Sequence, residues 1–182
     1  MAFLLKFINI TKIKRFFILL ILLGIYIFIS AFSYVNAVSK DLEDNLFRLH
    51  VIANSNSSQD QNLKYIVRDA LISYMNSICT NCVTKEEAII IAENHKEEFY
   101  NIAKKTLIEN GFDYNVEIEI GNFDFPTKTY GDISLPAGFY DALRVKIGKA
   151  EGQNWWCVMF PPLCFVDISN GIVPEESKEI LR

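Results

Sequence analysis

"LFRLHVIANSNSSQDQ", Leu46 to Gln61, alternates and then caps. Phe47, Leu49, Val51 and Ala53 recur at every second position before a polar run, the pattern of a strand feeding a loop. Ser58 and Gln61 stand as the two ends of a capping box, so a helix is expected with Ser58 as its N-cap. Leu63, Ile66, Val67, Ala70, Leu71 and Tyr74 come next at the spacing of one helical face, with Lys64, Arg68 and Asp69 on the others. A strand delivered into an amphipathic helix is the unit from which the rest of the fold is read.

Thr84-Lys85-Glu86-Glu87 is a second capping box, and no Gly or Pro interrupts the chain from there to Gly111. Ala88, Ile91, Ala92, His95, Phe99, Ile102, Ala103 and Leu107 form an inner stripe, which predicts one long helix, bent or straight, lying across a sheet. Beyond it the chain is β in character. Val116, Ile118 and Ile120 alternate with Glu117 and Glu119, and Leu143, Val145 and Ile147 alternate with Arg144 and Lys146, each giving a dry and a wet face. Turns are expected at "FPTKTYGD" (Phe125 to Asp132), "LPAG" (Leu135 to Gly138) and "GKAEGQN" (Gly148 to Asn154). This order predicts an α+β domain, with two helical segments packed on a mainly antiparallel sheet.

Upstream lies a segment of another kind. Residues 1–37 carry Lys6, Lys12, Lys14 and Arg15, no acid, and the apolar run "FFILLILLGIYIFISAF" from Phe16 to Phe32. Such a segment is a signal peptide or a signal anchor: 17 residues sit at the lower limit for a spanning helix and are long for a cleaved leader. Val35-Asn36-Ala37 offers a cleavage site after Ala37, and the charges on the N-terminal flank imply export of the chain downstream of the apolar run. Residues 38–182 then form one extracytoplasmic domain of 145 residues, with 14 basic residues against 22 acidic ones. That balance argues against nucleic acid and against a basic membrane-binding patch. Only the leader is suited to lipid.

Four cysteines and two histidines are the chemical candidates. Cys79-Thr80-Asn81-Cys82 has redox spacing, but it comes after a predicted helix where a redox cysteine opens one, so a loop disulfide or plain thiols fit better. Zinc would need Cys157 and Cys164 as well, whose spacing is too long for that motif, and no metal or cofactor is expected. A cysteine enzyme using Cys157 or Cys79 needs a base, and His50 and His95 both lie on apolar patterns without a local catalytic signature. Glu117 and Glu119 read as a solvated face, and no phosphate-binding glycine motif is present. The loop from Asn54 to Gln61 meets a helix N-terminus, where Asp60 already supplies negative charge.

"NWWCVMFPPLCFVD", Asn154 to Asp167, leaves alternatives open. A hairpin centred on Phe160-Pro161 sets Cys157 opposite Cys164 for a disulfide, whereas a Pro161-Pro162 loop sets Cys157 opposite Val166. Along a strand Trp155, Cys157 and Met159 share one face and Trp156, Val158 and Phe160 the other, so both faces are apolar. Either both are covered within the fold, or one awaits a partner.

"FRLHVIANSNSSQDQNLKYIVRDA" (Phe47 to Ala70), "FPTKTYGD" and "LPAGFYDALRVKIGKAEGQNWWCVMFPPLCFVD" (Leu135 to Asp167) together resemble the stage II sporulation protein R family of endospore-forming bacteria. The resemblance implies a non-enzymatic signal exported from the forespore into the space between the two membranes. Its implied partner is a membrane-embedded aspartic protease, stage II sporulation protein GA, which cleaves the precursor of the mother-cell sigma E factor; no small-molecule substrate is implied. Specific complexes rest on aromatic and arginine anchors, which nominates Trp155, Trp156, Arg48 and Arg68 beside the polar loop of Asn54 and Asp60 as contacts.

Overall fold

The computed structural model describes residues 2–130 and 133–162, the side chains of 2–11 and 133 excepted. Its elements run α1 (Ala2–Asn45), β1 (Phe47–Ile52), α2 (Ser58–Ile78), α3 (Lys85–Asn94), α4 (Lys96–Glu109), β2 (Val116–Phe125), β3 (Lys128–Tyr130), β4 (Ile133–Leu135), β5 (Gly138–Ile147) and β6 (Asn154–Phe160). The chain divides into two compact units, Met1–Lys40 and Asp41–Arg182. In the first, α1 exposes apolar side chains from Phe16 onward and is long and apolar enough to cross a bilayer.

The second unit is α+β. Four strands form a sheet in the order β2-β5-β1-β6, and β3 pairs with β4 in a small separate ribbon. β2 with β5 and β1 with β6 are antiparallel, while β1 and β5 run parallel. The parallel pair needs a long crossover, and the three helices and β2 lie within it in sequence. Leu49, Val51, Leu143, Val145, Val116 and Ile118 share one face of the sheet, where Leu63, Val67 and Leu71 of α2 and Phe99, Ala103 and Leu107 of α4 join them in the core. The last turn of α1 belongs to this unit: Leu42 packs on the core, and Lys85 Nζ donates to Glu43 O at 3.3 Å and to Asp141 Oδ2 at 2.8 Å.

Three sequence expectations shift in detail. The N-cap of α2 is Ser57, whose Oγ accepts from Asp60 N–H at 3.1 Å; Ser58 is the first helical residue, and Gln61 Nε2 donates to Ser55 O. Two adjacent serines made the register ambiguous by one residue. The long helix is two, broken at His95 (φ −107°, ψ 21°), where Tyr74 OH meets His95 Nδ1 at 2.8 Å. A contact from another helix, not a Gly or Pro, marks the break, so no local signal announced it. Finally, β3 and β4 are formed partly from residues read as turns.

Ser57→Ala should therefore lower stability by about 1 kcal/mol through the lost cap, and Ser58→Ala by less than about 0.5. Urea unfolding of the full-length protein in detergent micelles, followed by tryptophan fluorescence, checks the pair; equal losses would refute this placement of the helix start.

Candidate functional site

The face of the sheet turned away from the helices holds an unusual cluster. Strand alternation places Arg48 and His50 there from β1, Trp156 from β6, Tyr140 from β5 and Phe125 from β2. Arg48 is fully buried. Its guanidinium carbon lies 4.1 Å from the Phe125 ring centre and 4.7 Å from that of Tyr140, and Nη2 donates to Tyr130 Oη at 2.9 Å. Tyr130 passes the bond on, donating to Trp156 O at 2.9 Å, so a side chain from the β3–β4 ribbon seals this face. Among the described residues, Arg48 Nε and Nη1 are buried without a hydrogen-bond partner. Burial pushes the guanidinium below its ordinary pKa, while Tyr130 and Tyr140 act in the other direction.

Beside it His50 stacks on Trp156 with ring centres 3.7 Å apart and an interplanar angle of 17°, and Phe125 meets the Trp156 ring edge-on. His50 Nε2 bonds Asn154 Oδ1 at 2.9 Å, which assigns its proton to Nε2 in the neutral ring. Burial, with Arg144, Arg48 and Lys146 nearby, outweighs that bond and lowers the His50 pKa to about 4. Farther along the same face, Arg144 and Lys146 bind Glu119 at 2.7 and 2.9 Å, the Arg144 bond chief among the causes that hold its carboxyl down at about 2. Those opposed charges form an ordinary cross-strand network.

The predicted contact residues fall into three places. Arg48 is interior, not surface. Arg68 and Trp155 lie on the helix side: the Arg68 guanidinium sits 4.3 Å over the Trp155 ring and 5.0 Å from Tyr65, a half-exposed ladder, with Asp69 paired to Arg68 at 2.6 Å. Trp155 and Trp156 thus point to opposite faces and do not form one patch. Asn54 and Asp60 build a polar knot. Asp60 Oδ2 accepts from Asn54 Nδ2 at 2.9 Å and from Ser55 Oγ at 2.5 Å. Burial would raise the Asp60 pKa, but hydrogen bonds from Ser55, Asn54, Tyr114 and Ser57 together hold it low. Asn54 Oδ1 also accepts from Lys149 N–H, and Asn56 Oδ1 from Gln153 N–H, tying this loop to the β5–β6 connection. Gly148 (φ +60°) and Gly152 permit that approach, since a Cβ would stand 2.2 Å from Asn54 Oδ1 and 2.3 Å from Ser55 O. Lys64, expected on a wet face, is buried against the same knot, donating to Gln61 Oε1 at 2.6 Å and Gln153 O at 3.1 Å.

Cys157 pairs with Leu49 in the strand register, so it faces the helices, while His50 points to the other side of the sheet. His95 Nδ1 is engaged by Tyr74. The proposed partner of Cys157, Cys164, lies outside the described residues. Cys79 and Cys82 form a loop disulfide, and among the described residues no cluster suited to a metal occurs.

A family model described as stage II sporulation protein R matches residues 43–170. The chain belongs to the stage II sporulation protein R family. It is 38% identical over 138 residues to stage II sporulation protein R of Bacillus subtilis (strain 168), a match covering 76% of this chain and 62% of that relative. No solved structure matches it. In this family member the three stretches that carry the resemblance converge on the buried cluster: Arg48 comes from the first, Phe125 and Tyr130 from the second, Tyr140 and Trp156 from the third. Sequence reasoning named Arg48 and Trp156 but missed Phe125, Tyr130 and Tyr140, whose only signal was the recurrence of aromatics inside those stretches.

In this chain, Tyr130→Phe removes the acceptor of a buried guanidinium and should cost roughly 2–3 kcal/mol, whereas in an Arg48→Met background it should cost less than about 1; a double-mutant cycle by urea unfolding reads the difference. Folded His50 titrates near 4 and an unfolded histidine near 6.5, so only the unfolded chain takes up this proton in between. Stability should then fall on acidification from pH 6.5 to 4, by on the order of 3 kcal/mol from this group, and His50→Gln should flatten that part of the pH profile.

Proposed function

We propose that the chain is an exported, non-enzymatic signal of endospore formation. It acts between the two membranes of the engulfed forespore and the mother cell, where it binds the extracytoplasmic side of the membrane-embedded protease stage II sporulation protein GA. Binding triggers cleavage of the sigma E precursor. Membership of the family is the observation that carries this reading. The apolar α1 behind a basic N-terminal flank supports it, with residues 1–37 as export leader or anchor and 38–182 as the signalling domain. The half-exposed ladder of Tyr65, Arg68 and Trp155 is the contact surface best suited to the protease, because arginine and tryptophan together supply area and directed charge. Arg48 and Asp60, which are buried, and Trp156 and Asn54, which are half-buried, act by holding the sheet and its loop in shape. A cysteine enzyme is the weaker reading, since Cys79 is bonded to Cys82 and the sheet separates Cys157 from His50.

Co-expression of the full chain with the protease and the sigma-factor precursor in a non-sporulating host tests this, with precursor cleavage read on a blot. Cleavage should need residues 1–37, survive Cys157→Ser/Cys164→Ser, and drop roughly tenfold with Arg68→Glu, the size of effect expected at an interface anchor. Absence of cleavage with an exported, folded wild-type chain would overturn the reading, and loss in the cysteine variant with the fold intact would favour the enzyme.

A further inference from the structure

The turn between α2 and α3 carries a disulfide that neither the signalling reading nor the buried cluster uses. Cys79 is the C-cap of α2, its N–H donating to Met75 O at 2.9 Å, and Cys82 N–H donates back to Cys79 O at 3.2 Å. Thr84 then opens α3: Glu87 N–H donates to Thr84 Oγ1 at 3.2 Å and Val83 N–H to Glu87 Oε2 at 2.8 Å. Between the disulfide and this cap stands Val83 alone, 81% exposed. A cavity of about 420 Å³ opens beside the turn, lined by Ile78, Asn81, Cys82, Glu87, Ile90 and Ile91. Cys82 borders it and Cys79 does not.

Only two residues separate the cysteines. The chain entropy that a disulfide removes from the unfolded state grows with the loop it closes, so this bond adds close to the least a disulfide can to global stability. Its effect is local, on the turn, the cap and the cavity wall.

We propose that Cys79 and Cys82 are a redox latch, closed after export by thiol–disulfide exchange with an external disulfide. The Cys82 thiolate, at the cavity, attacks one sulfur of that disulfide; the donor's S–S bond breaks, a mixed disulfide forms and one donor thiolate leaves. The Cys79 thiolate then attacks Cys82 Sγ, the mixed bond breaks, and the second donor thiolate leaves. Two electrons pass from the cysteines to the donor, which ends as two thiols holding the two protons that the cysteines gave up. Cys79 is placed for the second step. It closes the helix only three positions before Cys82, to which it is bonded in this structure, so it lies within reach of Cys82 Sγ. Closure fixes Val83 and the cap of α3 whatever protein the domain binds.

The test uses the full-length protein in micelles, reduced with dithiothreitol or oxidised with glutathione disulfide, with each cysteine pair followed by alkylation and peptide mass mapping. Opening the latch should raise hydrogen exchange at Val83 and Ala88 roughly tenfold and leave β1 and β5 unchanged, and Cys79→Ser/Cys82→Ser should reproduce that pattern. Unchanged exchange in the turn, or lost protection across the sheet, would overturn the proposal. With single variants, Cys79→Ser, which keeps Cys82, should form its mixed disulfide with glutathione roughly fivefold faster than Cys82→Ser. Equal or reversed rates would overturn the order of the steps.

Discussion

A guanidinium buried beside two aromatic rings, with a tyrosine hydroxyl as its hydrogen-bond acceptor, constrains the whole second unit. Arg48 sits on a central strand and forms no ion pair among the described residues. A charge in that position survives only if ring faces and a well-placed oxygen replace its water. Phe125 must therefore end β2 on the same face, Tyr140 must flank it from β5, and Tyr130 must reach over from the β3–β4 ribbon. Because Tyr130 also donates to the backbone of β6, one side chain links two strands of the sheet, β1 and β6, to the ribbon. Loosening any member exposes the charge to water and releases the others.

A second constraint holds the opposite end of β1. Asp60 gathers donors from the loop that precedes α2, and Asn54 and Asn56 turn their remaining capacity to the backbone of the β5–β6 connection. Two glycines let the chains approach closely enough for this. Both constraints tie the sheet to its loops, while the stack of Tyr65, Arg68 and Trp155 and the turn that carries Cys79 and Cys82 lie partly at the surface.

Much of the architecture was legible along the chain. The dry faces of β1, β2 and β5, the amphipathic stripe of α2, the Thr84 cap and the end of the helical region at Gly111 all rest on spacings between near neighbours, which obey the 2.0 and 3.6 periods. The site was less legible. Arg48 and Lys64 occupy positions that a periodic reading assigns to water, and Trp155 and Trp156 are adjacent in sequence but back to back in space. The parallel pairing of β1 with β5 joins residues about ninety positions apart, for which local pattern carries no information.

By itself, then, the sequence determined the apolar N-terminal segment, the α+β class, the acidic balance of residues 38–182 and the family, since each depends on composition or on contiguous residues. Tertiary structure alone decided that Arg48 is an internal clamp, that Trp156 stacks on His50 and Trp155 under Arg68, that His95 breaks the long helix, and that Cys82 faces a cavity while Cys79 caps a helix. The physical reason is common to all four. Whether a polar or aromatic side chain meets water, a ring or another strand depends on what the fold brings opposite it, and that partner comes from elsewhere in the chain.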